Sequence, residues 1–241
     1  MLGRPLIRGN HAIISPPHLR IRVDINVTQA HGDVRQPLRD GDKSVEPFSP
    51  RWRELYTARV DAIQSKYVIP NDKVDAVMKA GIAACKARTE EHIKLPPGEK
   101  FDLSFVTKKP WSGYNWYQGG AHSLIEINTD LPIYIDRAID LACHEGYPGH
   151  HVYNALLEKT LVVDRGWIEY TVYPLFSPQS LIAEGTANYG IEVAFPKADR
   201  IAFERDVIFP AAGLDAAAAG DYYELLALMD RLSYAGNEAA R

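Results

Sequence analysis

Leu141-Ala-Cys-His-Glu-Gly-Tyr-Pro-Gly-His-His-Val-Tyr-Asn154 is the segment on which the reading of this chain turns. Three of the eight histidines of the 241-residue chain fall within it. The first is followed directly by Glu145 and preceded by an apolar helical stretch, Ile135, Ala138, Ile139, Ala142 and Cys143. In H-E-x-x-H metallopeptidases, two histidines one helical turn apart bind zinc, and the Glu between them serves as general base. Here the fourth residue past His144 is Pro148. On a straight helix His150 would sit roughly 120° round the axis and about 9 Å along from His144, and His151 about 10.5 Å along. Zn–N bonds of about 2.0–2.1 Å rule out a shared ion on such a rod. The Pro148-Gly149 pair supplies the remedy. Proline lacks the amide donor and its ring clashes with the preceding turn, while glycine enters conformations closed to other residues. A kink or bulge there is expected to bring His150 back beside His144.

A catalytic zinc usually takes three protein ligands and keeps one position for water. Ser177-Pro-Gln-Ser-Leu-Ile-Ala-Glu-Gly-Thr-Ala-Asn-Tyr-Gly190 reads as a helix capped by Ser177, with Pro178 at its first position. Glu184 shares its helical face with Leu181, Ala187, Asn188 and Ile191, and a carboxylate on so apolar a stripe is costly unless paired or bound to metal. Glu184 is therefore the expected third ligand, with a salt bridge to Arg137 or Arg165 as the competing role. Asn188 is placed to orient the ligating carboxylate, with a solvated polar residue as the equal alternative. Two histidines and one carboxylate also suit iron.

Working outward, residues 1–50 hold six prolines and no sustained helical period, and read as an irregular leader with one short strand near Ile21, Val23, Ile25 and Val27. Helices are expected from Trp52 to Tyr67 and from Asn71 to Ile93, the second capped by Asn71 and carrying Val74, Val77, Met78, Ile82 and Cys85 on one stripe. Phe101–Thr107, Tyr114–Tyr117 and Ser123–Asn128 read as strands punctuated by Gly113, Gly119 and Gly120. Beyond them the chain reads as helices, with Pro132 at a first-turn position and Pro174, Pro196 and Pro210 at breaks. The fold class is thus mainly α with a small β-sheet (α+β): a leader over 1–50 and a metal-binding domain over 51–241. The aromatic run Trp111, Tyr114, Trp116 and Tyr117 is expected to be a packing face of the sheet, with a substrate cleft as the alternative.

Composition narrows the function classes. A net charge of −4 with 46% hydrophobic residues is globular and offers no basic footprint for nucleic acid. No run approaches the ~18 apolar residues of a membrane span. The opening residues lack a secretory signal, so the cytoplasm is the default expectation. Cys85 and Cys143 fit neither a disulfide scaffold nor a Cys-based zinc pattern. The oligomeric state stays open.

At His144-Glu-Gly-Tyr-Pro-Gly-His150 and Ala183-Glu-Gly-Thr-Ala187, over roughly residues 50–241, the chain resembles the bacterial family named "domain of unknown function 885". That family is grouped with gluzincin-type zinc metallopeptidases and carries H-E-x-x-P-G-H followed by an E-G-W-A-like motif. The resemblance implies a zincin-like core, His144, His150 and Glu184 as ligands of one zinc ion, and Glu145 as catalytic base. Thr186 stands where family members usually have Trp. Members are usually much longer, so the resemblance also implies a truncated member. Arg231-Leu-Ser-Tyr-Ala-Gly236 resembles a C-terminal family segment and makes Tyr234 a candidate oxyanion stabiliser. The expected activity is hydrolysis of a peptide or other amide bond, the substrate pairing along the edge of the strand Ser123–Asn128. Two rivals stand beside it: a truncated protein that binds zinc without catalysis, and a metal-free helical binding module.

Overall fold

A computed structural model describes residues 50–239; the expected leader and its short strand lie outside the described residues. The chain divides into two compact units. One is Val60–Ala219; the other includes residues 50–59 and 220–239, which belong to helices α1 (Pro50–Gln64) and α8 (Ala219–Ala239). The sheet and the helices over residues 74–212 lie within Val60–Ala219.

Helix α2 (Val74–Glu90) buries the expected stripe, Val74, Val77, Met78 and Cys85, with Gly81 and Thr89 in place of the half-exposed Ile82. Asn71 does not cap it; the helix starts after Lys73, in a turn that Lys73 closes by donating its amide to the Pro70 carbonyl. Strands β1 (Lys100–Val106), β2 (Gly113–Gly119) and β3 (His122–Asn128) form one sheet in the order β1-β3-β2. Strand β3 pairs parallel with β1 and antiparallel with β2. The reading that made Ser123–Asn128 the substrate's edge is therefore overturned: both sides of β3 are occupied, and β2 is an edge. Gly119, Gly120 and Ala121 all take positive φ in the tight β2–β3 connection, a turn that glycine enters at little cost.

Pro132 precedes rather than opens helix α3 (Ile135–Leu141). The Ile69 amide donates to the Ile133 carbonyl at 2.8 Å, and Val68 pairs with Tyr134, so this stretch is held extended. After α3 the chain runs through a π-helical turn, Ala142–Gly146, breaks, and restarts as α4 (His150–Leu157). A second π-helical stretch, Glu158–Val163, follows. Helix α5 (Pro178–Ala194) begins as its sequence dictates: Ser177 Oγ accepts from the Ser180 amide, with Pro178 in the first turn. Pro196 separates α5 from α6 (Lys197–Phe203). Pro210 interrupts nothing, because the π-helical turn Glu204–Ile208 shifts the hydrogen-bond register before α7 (Phe209–Ala212) and absorbs the missing donor.

The two cysteines form a disulfide, Cys85–Cys143, which corrects the reading of the sequence. Its cause is tertiary. Gly81 on α2 lies so near the next rod that an added Cβ would stand 3.3 Å from Ala142 Cβ, and this close approach sets the Cα atoms of Cys85 and Cys143 5.5 Å apart.

Candidate metal centre

The rod carrying His144 ends in a wide π-helical turn and a cis Tyr147–Pro148 peptide before α4 begins at His150. Gly149 folds back on the preceding turn, its amide donating to the Cys143 carbonyl at 2.9 Å. A Cβ there would stand 1.8 Å from the His144 carbonyl oxygen, so only glycine fits. The helix does break where Pro148-Gly149 requires it. The rings of His144 and His150 consequently lie 4.6 Å apart between centroids, nearly perpendicular.

Glu184 reaches this pair from α5. His144 Nε2 lies 3.2 Å from its Oε2 and His150 Nε2 lies 3.3 Å from its Oε1. Charge-assisted hydrogen bonds are typically nearer 2.7–2.9 Å. Ligands about 2.0–2.1 Å from a tetrahedral ion stand roughly 3.3–3.4 Å from one another; the two contacts match that spacing, each histidine meeting a different oxygen of the Glu184 carboxylate. The three residues are a group able to hold a metal. The close approach of α5 has a visible cause: a Cβ on Gly190 would stand 2.7 Å from Pro148 Cγ, so the glycine lets the helix settle against the turn.

Glu184 is not on a buried apolar stripe. Its side chain is 54% exposed, and Leu181 is 75% exposed. The buried face of α5 is made of Ala183, Ala187, Gly190, Ile191 and Ala194. Neither Arg137 nor Arg165 neutralises Glu184; Arg137 instead donates to Asp140 at 3.0 Å. Asn188 does not orient the carboxylate. Its Oδ1 accepts from His144 Nδ1 at 3.1 Å, which leaves Nε2 as the nitrogen turned to Glu184.

Glu145 is 6% exposed yet lines the same cleft of about 960 Å³ as His144, His150 and Glu184. Burial pushes its carboxyl up to about 7; the charge of Glu184 adds to the rise and Arg137 opposes it. The His150 pKa is lowered, first by burial and then by the neighbouring His144, which favours the neutral, ligating imidazole. Strand β2 forms part of the wall. Gly113 packs beside the Glu145 carboxylate, and Asn115 Nδ2 donates to the Glu145 carbonyl at 2.8 Å. Tyr114, Trp116 and Tyr117 are among the residues around the cleft, whereas Trp111 is not and packs on Tyr114 at 5.6 Å between ring centroids.

His151, to which the sequence assigned no role, and Glu99, which it did not single out, meet beside the centre. His151 is fully buried, its Nδ1 2.8 Å from Ser123 Oγ and its Nε2 2.9 Å from Glu99 Oε2. Glu99 follows Pro96-Pro97-Gly98 in a stretch without periodicity, and no local signal marks it. The side chain of Tyr234 lies outside the described residues. No family model, no curated protein and no solved structure matches the chain, so the site is read from its own geometry.

Proposed function

We propose that the protein is a zinc-dependent hydrolase, most simply a peptidase acting on peptide or other amide bonds. One observation carries the reading: His144, His150 and Glu184, from three separate elements, present their donor atoms to one point on a cleft that also holds a buried glutamate next to the first histidine. The resemblance to the "domain of unknown function 885" family and its gluzincin-like ligand set supports it. On this reading the core is zincin-like, and His144, His150 and Glu184 hold the ion. A zinc ion bound there would polarise the scissile carbonyl and lower the pKa of a coordinated water toward ~7.

The chain's own groups do the rest. Glu145 takes the proton from the attacking water and returns it to the leaving nitrogen. Asn188 fixes the His144 ring, and Asn115 holds the backbone of Glu145 against β2. Strand β2 supplies an edge along which an extended peptide pairs. No helix among the described residues is long and apolar enough to cross a membrane. The Cys85–Cys143 bridge favours an oxidising compartment over the cytoplasm.

The test is metal analysis together with a peptide-library assay on the parent chain and on Glu145→Gln. The parent is expected to carry about one zinc per chain, and the variant to keep it while losing turnover by roughly 10²–10⁴-fold. Activity that survives Glu145→Gln removes the base from the mechanism. Zinc without hydrolysis of any peptide marks a non-catalytic zinc protein, and a parent that ignores zinc marks a metal-free module.

A further inference from the structure

Neighbouring residues on α2 reach toward both metal-bearing histidines. Cys85 is bonded to Cys143, the residue before His144. Lys86 Nζ lies 2.6 Å from Glu99 Oε1, and Glu99 Oε2 accepts from Tyr147 OH at 2.6 Å and from His151 Nε2 at 2.9 Å. Tyr147 and His151 bracket Pro148, Gly149 and His150, so one carboxylate ties both ends of the turn that brings the ligands together. Glu99 is nearly as buried as His151, its side chain 5% and that of His151 0% exposed. Lys86 stands over the Tyr147 ring at 5.2 Å, and Phe101 packs on both Tyr147 and His151. None of these groups lines the cleft.

Helix geometry says what such a tie accomplishes. Consecutive helical residues point about 100° apart, so a helix whose residue 151 is fastened in the interior has the direction of residue 150 fixed with it. Helix α4 has only eight residues. Ser123 from β3 holds the other nitrogen of His151, which leaves the ring no freedom to turn. A buried charge with its partners in place is retained at a desolvation cost, and breaking one partner leaves the others uncompensated. Such a cluster beside a ligand resembles the outer hydrogen-bonding partners of metal sites, which set ligand orientation without touching the ion.

We propose that Cys85 and Lys86 form a two-armed clamp on the metal centre, and that Glu99 is the positioning residue of the second arm, holding α4 at the rotation that presents His150 to the ion. The inference rests on zinc binding as proposed above. It is tested on the full chain by zinc affinity, measured by competition with a chromophoric chelator well below the melting transition, and by the visible spectrum of the cobalt(II)-loaded protein. Glu99→Ala is expected to weaken zinc binding about 10- to 100-fold. Its cobalt spectrum should lose the intensity of the parent's low-coordinate site, a change that lowered stability alone does not produce. Glu99→Gln, which keeps the side chain's volume and an acceptor, is expected to restore the parent spectrum and most of the affinity, and it serves alone should Glu99→Ala fail to fold. A folded Glu99→Ala with parental zinc affinity and spectrum overturns the clamp while leaving the metal centre standing. Should Glu99→Ala not fold, a Glu99→Gln whose affinity and spectrum are lost as completely as those of a ligand deletion would equally overturn it. A parent chain that binds no zinc overturns both.

Discussion

On one wall of the cleft, His144 and His150 each adjoin a residue fastened in the interior, Cys143 to Cys85 and His151 to Glu99 and Ser123. On the other wall, Glu184 stands on a helix that turns Leu181, Ile182, Tyr189 and Val193 outward, next to a segment whose Phe176 is fully exposed. The first wall is held by covalent and buried polar ties; the second rests on small residues, Ala183, Ala187 and Gly190, packed along one face. A site assembled this way has two nitrogens set in advance and an oxygen that approaches them from a more lightly held partner. Interior packing transmits small changes, whereas exposed side chains tolerate them.

Substitutions can break or sharpen that contrast. The largest effect is expected from Gly149→Ala, where a methyl 1.8 Å from a carbonyl oxygen forces the backbone of the turn to move. Loss of zinc binding together with a broadened or absent melting transition is the expected result; a parental melting curve would show the turn to be adaptable. Next comes Cys85→Ala/Cys143→Ala. The bridge closes a sequence separation of 58, for which chain entropy gives about 4 kcal/mol at 25 °C. Chemical denaturation should show a loss of that order, and a loss under ~1 kcal/mol would mean that packing of Gly81 on Ala142 already holds the rods together.

Gly190→Ala tests the second wall. Its new methyl would meet Pro148 Cγ at 2.7 Å, and overpacking of this kind typically costs about 1–3 kcal/mol. Zinc affinity should fall as α5 is pushed from the turn, while the Cys85–Cys143 and Glu99 ties keep the histidines in place. The smallest effect is expected for Leu181→Gln with Ile182→Gln on the exposed face of α5. Stability should stay within roughly ±0.5 kcal/mol per substitution, read from thermal melts. A markedly larger loss would show that this face is covered in solution.

Much of the inner wall was legible from residue order. Pro148-Gly149 announces a break in any helix, and two histidines on either side of it make a metal centre worth expecting. Ser177-Pro178 likewise announces the start of α5. The strands were legible from alternation, but their order was not, because the pattern that marks Ile125 and Ile127 as strand residues is silent about which neighbours they pair with. That is why β3, the most buried strand, was read as an edge and proved central. The disulfide depends on the glycine-permitted approach of two rods 58 residues apart in sequence, which no spacing rule contains. Glu184 was reached by a faulty route. Leu181, Ala187 and Ile191 suggested a buried stripe around it, yet Leu181 is exposed and the buried face consists largely of alanines and a glycine, whose weak hydropathy leaves little periodic trace.

The position of β2 at the margin of the sheet gives the cleft a sense of direction. Gly113, where β2 begins, lies against Leu141 and Glu145; Gly119, where it ends, lies beside Glu158. A guest strand laid antiparallel to β2 would therefore have its amino end toward Glu158 and its carboxyl end toward Leu141 and Glu145. For a guest of that pairing, the direction of entry follows from the course of β2 alone, before any side chain of the guest is consulted.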